Sequence, residues 1–181
     1  MARVIATKTK RTKRRKQTAE DFTPPSLINQ MLDKFPDESW QEGKTFLDPA
    51  CGVGNMLIEV FKRKLTHGHD PLEALKTVYG VDIQDDNIRE TRLKLLKLVR
   101  MQGKRITKKH IIAVIRNIVV CRLSKYPNGA LDYDFRFPLK TCTEKDIQPW
   151  LDGIYQEGWL DKISVDGDNY ELAKQGIEKV A

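Results

Sequence analysis

A chain of 181 residues suits one domain of ordinary size with extensions and can bury a substantial core. Its formal charge of +7 is unevenly placed: residues 1–19 carry eight Lys or Arg and no acid, leaving 24 basic against 25 acidic residues in a nearly neutral body. No secretory apolar stretch opens the sequence, and no run reaches the ~18 apolar residues of a membrane span. A soluble, cytoplasmic protein with no membrane partner is expected. Cys51, Cys121 and Cys142 are odd in number and form no Cys-x-x-Cys pair, which argues against a disulfide framework and a zinc site and leaves reduced thiols as the default.

The arm Met1 to Ala19, with Lys8, Lys10, Arg11, Lys13, Arg14, Arg15 and Lys16, has no apolar periodicity and is expected to be disordered in isolation. Non-specific, salt-dependent contact with DNA phosphates is its expected use, with a solubilising arm or an address signal as the alternatives. After Pro24-Pro25, the spacing of Ile28, Met31, Leu32 and Phe35 predicts a helix over 26–34, stopped by Pro36. Trp40 to Lys44 reads as a polar loop, and Thr45 to Asp48 as a short buried strand. Met56, Leu57, Val60, Phe61 and Leu65 then fit a helix opening near Asn55. His67 and His69 flank Gly68 in an expected loop, without a third and fourth ligand in view, so no metal site is expected there.

Asp70-Pro71 has a cap residue followed by the imino acid that tolerates the first helical position, and predicts a short helix Pro71 to Lys76. Val78 to Ile83 is strand-like with Asp82 near its end, Asp85 to Met101 a long helix, and Thr107 the cap of a helix through Arg116 with Ile111, Ile112 and Ile115 inward. Asn117 to Cys121 reads as a third strand. Strand and helix thus alternate as in an α/β domain, expected over 20–140. Tyr126 to Gly129 is a turn signal, and Leu131 to Phe137 alternates as a strand would.

From Thr143 the pattern changes. Ile147, Trp150, Leu151 and Ile154 mark an amphipathic helix, and Trp159 to Val165 with Asn169 to Leu172 are expected to form a hairpin across Asp166-Gly167-Asp168. A small winged-helix-like unit over 141–181 is therefore expected. Its helix region carries Glu144, Asp146, Asp152 and Glu157 against Lys145, which favours packing or protein contact over DNA reading.

The stretch Phe46 to Leu57 joins an apolar strand to a small-residue turn and an amphipathic helix. Gly52 and Gly54 let backbone approach a ligand closely, and Asp82, ending the next strand, can accept both hydroxyls of a ribose. Leu57 stands where a dinucleotide-binding turn has its third glycine, so a nicotinamide cofactor is disfavoured.

Three segments in this order resemble the adenine-specific N6 DNA methyltransferases, S-adenosylmethionine enzymes often found in restriction-modification systems. They are Phe22-Thr23-Pro24-Pro25, Asp48-Pro49-Ala50-Cys51-Gly52-Val53-Gly54 and Tyr79-Gly80-Val81-Asp82-Ile83, and the match covers roughly residues 20 to 120. The resemblance implies a Rossmann-like methyltransferase fold, truncated, with S-adenosylmethionine as cofactor. It further implies cofactor contacts at Thr23, Asp48, Pro49, Ala50, Cys51, Gly52, Gly54, Asp82 and Ile83. Asp48 would orient the ammonium, Asp82 the ribose, Ile83 the adenine face and Thr23 the methionine carboxylate. Where the family supplies an acid for the adenine amino group, this chain has Val120-Cys121-Arg122-Leu123.

The family's catalytic Asn/Asp-Pro-Pro-Tyr/Phe turn, which holds the flipped adenine, has no counterpart in these 181 residues, so no catalytic residue is assigned. Asp132-Tyr133-Asp134-Phe135 offers fragments of that chemistry. The sequence therefore points to a methyltransferase-like cofactor-binding protein, catalytically incomplete alone: either half of a split enzyme whose protein partner supplies the catalytic and target-recognition parts, or a degenerate copy. A non-enzymatic nucleic-acid or protein binding module on the same scaffold is the alternative.

Overall fold

The computed structural model describes residues 23–120, 124–125, 131–132 and 142–165. Three parallel strands form the main sheet: β1 (Phe46–Asp48), β2 (Val78–Asp82) and β3 (Ile118–Val120). They lie in the order β1-β2-β3, with Leu47 opposite Tyr79 and Val81 opposite Val119. Parallel neighbours need crossovers, and helices supply them. The chain runs from β1 through α2 (Asn55–Thr66) and α3 (Pro71–Lys76) to β2. From there it runs through α4 (Asp85–Met101) and α5 (Lys108–Asn117) to β3.

The helix before β1, α1 (Pro25–Leu32), starts one residue earlier and stops two earlier than its apolar spacing predicts. Pro25 takes the first helical position, where no N–H is required, and Ile28 and Leu32, one turn apart, are buried. The expected polar loop at Trp40 is corrected. Asp37–Trp40 is a 3-10 turn that drives Trp40 into the core, stacked on Phe46 with ring centroids 4.9 Å apart and with the Arg63 guanidinium 5.6 Å from its ring. An indole has more apolar surface to bury than its polar neighbours can keep in water. His67 and His69 serve the same corner, their rings bonding the carbonyls of Arg63 (2.7 Å) and Trp40 (2.6 Å).

The core is continuous. Leu57, Val60 and Phe61 from α2 share one buried cluster with Val78 of β2, Leu95, Leu96 and Val99 of α4, and Ile111 and Val114 of α5. Gly80, in mid-strand, is where a side chain would not fit, since a Cβ there would collide with Leu57 and crowd Cys51 and Ile118. Asp70 caps α3 through Leu72 N (2.9 Å), and Thr107 caps α5 in a reciprocal pairing with His110. Burial pulls the His110 imidazole below its ordinary pKa, which keeps it neutral and able to accept from Thr107 N.

Past β3, the short strands β4 (Ser124–Lys125) and β5 (Leu131–Asp132) pair antiparallel. The expected strand through Phe137 and the turn Tyr126 to Gly129 otherwise lie outside the described residues, as does the arm 1–19. Helix α6 (Glu144–Tyr155) is capped by Thr143 and Asp146, and Ile147 and Ile154 join the common core.

The expected strand from Trp159 is not formed. Gly158 takes a left-handed φ of 64°, and Trp159–Lys162 coils into a 3-10 turn. Its indole packs against Gly153 of α6, donates to Glu157 (2.8 Å) and lies 4.5 Å from the Arg89 guanidinium of α4. That contact outweighs the strand propensity of the segment. The other half of the expected hairpin, Asn169 to Leu172, lies outside the described residues, and no wing is present among them. No described helix is long and apolar enough to cross a membrane.

Candidate functional site

The C-terminal ends of β1 and β2 lie side by side, Asp48 opposite Gly80, and the turn Pro49 to Gly54 leaves β1 between them. In open parallel sheets, ligands bind beyond such carboxyl ends. Pro49 and Ala50 are exposed, whereas Cys51, Val53, Gly54 and Asn55 are buried as the turn folds back onto the sheet. Two left-handed glycines make that reversal, Gly52 at φ 52° and Gly54 at φ 82°. At Gly54 a side chain is excluded twice, by its φ and by Thr91 of α4, which a Cβ would strike.

Four hydrogen bonds hold the turn against the two strand ends. Asp48 Oδ1 accepts from Ala50 N (3.1 Å), and Asp82 Oδ2 accepts from Gly52 N (3.0 Å). Cys51 N donates to Val81 O (2.8 Å) and Gly54 N to Cys51 O (2.8 Å). The other oxygen of Asp82 accepts from Gln84 N (2.8 Å) and Asn87 Nδ2 (3.2 Å). The carboxylate thus takes three N–H donors of the about four that its lone pairs can accept.

Asp48, Cys51 and Asp82 share one field. Burial pushes the Asp48 carboxyl above its ordinary pKa, the Ala50 amide opposes this, and the Asp82 charge adds to it. The Cys51 thiol is pushed far up by burial and by both carboxylates, so it remains protonated and is no nucleophile. Two neighbouring carboxylates of this kind favour a cation. The pairing with a positive group would reverse the penalty on Asp48.

From the far side, α4 presents a polar stripe on an otherwise apolar face. Asn87, Thr91 and Lys94 recur at spacings of four and three, and all are buried. Asn87 holds Asp82; Thr91 Oγ1 lies 3.2 Å from Gly52 O and 2.9 Å from Asn87 O; Lys94 Nζ donates to Val53 O (3.1 Å) and pairs with Glu90 (2.9 Å). The stripe fixes the carbonyls of the turn while the strand ends fix its amides. Sequence reasoning missed these three residues, although three polar side chains at helical spacing inside an apolar pattern are a readable signal.

A second omission is Asn55, the first residue of α2. It is 8% exposed, and neither Nδ2 nor Oδ1 has a hydrogen-bond partner among the described residues. An enclosed, unpartnered amide costs about 1 to 3 kcal/mol.

Of the sequence-derived site residues, Asp48, Cys51, Gly52 and Asp82 are brought together by direct bonds or a shared field. Ile83 follows Asp82 with its side chain 46% exposed. Thr23 is half-buried at the entrance to α1, which packs on α2, and makes no hydrogen bond among the described residues. Cys121 to Leu123 and Tyr133 to Phe135 lie outside the described residues. Among those described, no group of three His, Cys, Asp or Glu side chains is placed to hold a metal ion.

A parallel sheet with helical crossovers and a glycine turn at the end of its first strand defines a small α/β protein. The chain matches the family model of the N-6 DNA methylases over residues 7–111, and it belongs to that family. Over 92 residues it is 30% identical to the Type II methyltransferase M.VspI of Vibrio sp. (strain 343). That stretch is 51% of this chain and 20% of the relative, so the chain spans about a fifth of the length of the protein it matches. No solved structure matches the chain.

Proposed function

We propose that the chain binds S-adenosylmethionine in the hollow between Asp48 and Asp82. It would serve N6-adenine methylation of DNA as the cofactor-binding part of a larger assembly. The observation that carries this reading is the pair of carboxylates at adjacent strand ends, joined by a two-glycine turn, in a member of the N-6 DNA methylases. The cofactor brings an ammonium, a sulfonium and a ribose diol. Asp48 would pair with the ammonium, Asp82 would exchange an N–H for a ribose hydroxyl, and Ile83 would offer an exposed apolar surface to the adenine. Thr23, Pro49, Ala50, Cys51, Gly52 and Gly54 would line the amino-acid end. The cofactor supplies an electrophilic methyl group; the residues named here bind and orient it.

The residues that hold the adenine would come from outside these 181 residues, whether on the same polypeptide or on a partner. The basic arm would contribute phosphate contact. Calorimetric titration with S-adenosylmethionine and S-adenosylhomocysteine tests the cofactor reading: saturable heat lost in Asp82→Asn supports it, and absence of heat with the unaltered chain at millimolar ligand rejects it.

A further inference from the structure

The ligand proposed above is a zwitterion at its amino-acid end, and the carboxylates account for only one of its charges. The other pole of the turn lies at α2. This helix is 12 residues long, its N-cap Gly54 has no side chain to accept a first-turn N–H, and its first turn carries no acid. Its leading N–H groups therefore stand without intrahelical partners, at the positive end of the helix dipole. Asn55 opens this helix. Helical Cα–Cβ bonds tilt toward the N-terminus, which directs the Asn55 side chain back toward the turn. Its amide is buried with both polar atoms unpaired among the described residues.

We infer that Asn55 is a further cofactor-binding residue, whose Nδ2 donates to the ligand's α-carboxylate at the N-terminus of α2. The inference rests on the cofactor reading and deepens it, because the α-amino and α-carboxylate groups would then be divided between an anionic pole at Asp48 and a cationic pole at α2. Thr23, approaching with α1, would meet the same carboxylate. Contact requires the Gly52–Gly54 segment to shift against the hydrogen bonds that hold it. An unpaired amide in the free protein is then the group that gains a partner on binding.

The test compares the full chain with Asn55→Leu and Asn55→Asp by calorimetry and thermal unfolding. The probes are S-adenosylhomocysteine and 5′-methylthioadenosine, which keeps the nucleoside and thioether but lacks the amino-acid end. Asn55→Leu replaces an unpaired amide with an apolar group of similar shape. The expected result is an unchanged or raised melting temperature without ligand, about tenfold or more weaker binding of S-adenosylhomocysteine, and unchanged binding of 5′-methylthioadenosine. Asn55→Asp places a negative charge beside the carboxylate and should weaken S-adenosylhomocysteine further, while the helix end tolerates the acid.

If the unaltered chain binds S-adenosylhomocysteine and Asn55→Leu binds it equally well, this inference falls while the cofactor reading stands. Loss of both ligands together with a lowered melting temperature assigns Asn55 a purely structural role and also overturns the inference. If the unaltered chain binds neither probe, the cofactor reading falls and takes the inference with it.

Discussion

Asp48 keeps a charge where the free protein disfavours one, and this has a definite consequence with pH. Burial and the neighbouring Asp82 raise its pKa above the ordinary 3.8, so the folded chain holds the proton more tightly than the unfolded chain does. Stability from this source is intact below the unfolded value and declines as pH rises through the window between the two. Asp48→Asn keeps the acceptor for Ala50 N and removes the charge. The variant should melt higher than the parent at pH 7, by about 2 to 4 °C for each kcal/mol relieved, with the difference shrinking toward pH 4. It should also lose affinity for S-adenosylmethionine, because the ammonium has lost its counter-charge. Thermal scans across pH with and without ligand measure both; a lower melting temperature at pH 7 would refute the assignment. Gly54 gives a second expectation. Gly54→Ala must strain a left-handed backbone and press on Thr91, and should cost about 2 to 4 kcal/mol in urea unfolding. Adding Thr91→Ala should return the steric share and leave the backbone share.

At the scale of elements, what the sequence revealed depended on whether a boundary was set locally. Asp70-Pro71 dictates the start of α3, Asp85 to Met101 is a helix to the residue, and Asn55 opens α2, since caps, proline and apolar spacing act within a few positions. The glycine turn and the acidic strand end were legible too, being contiguous in sequence. Trp40 and Trp159 were not, because each takes part of its packing from a guanidinium far along the chain, Arg63 and Arg89 respectively. Trp40 meets Phe46 and Arg63, whereas Trp159 meets Gly153 and Arg89. Two residues of the α4 stripe share that difficulty: Thr91 and Lys94 bond Gly52 and Val53, 39 and 41 residues away. The same arrangement joins α6 to the body. Trp150 and Trp159 meet edge to face at 5.8 Å, and Arg92, buried enough that its pKa falls to about 10, lies 5.7 Å from the Trp150 ring while bonding Ile118 O (2.8 Å). Gly153→Ala drives a methyl group into the Trp159 indole. Hydrogen exchange should then quicken across 144–162 while affinity for S-adenosylhomocysteine stays within about twofold. Uniform quickening that reaches β1 and β2 would show that this unit does not open separately.

For the molecule as a whole, charge and fold divide along the chain. The ends of β1 and β2 carry two carboxylates, Asp48 and Asp82, and a body of 24 basic against 25 acidic residues offers a DNA backbone little net attraction. The eight basic residues of 1–19 are the available source of it. Were all eight to neutralise phosphates, the slope of log affinity against log salt would approach about −7, and affinity would fall about 10³- to 10⁵-fold between 50 and 200 mM salt. Such binding would be nearly indifferent to sequence, since phosphates carry no base information. A chain lacking residues 1–19 should retain cofactor affinity and lose most of both the DNA affinity and its salt slope. Fluorescence anisotropy on two unrelated duplexes across a salt series reads this directly. Should the shortened chain hold DNA as tightly and with the same slope, the folded body makes the phosphate contacts, and the positive end of the molecule must be sought on its surface instead.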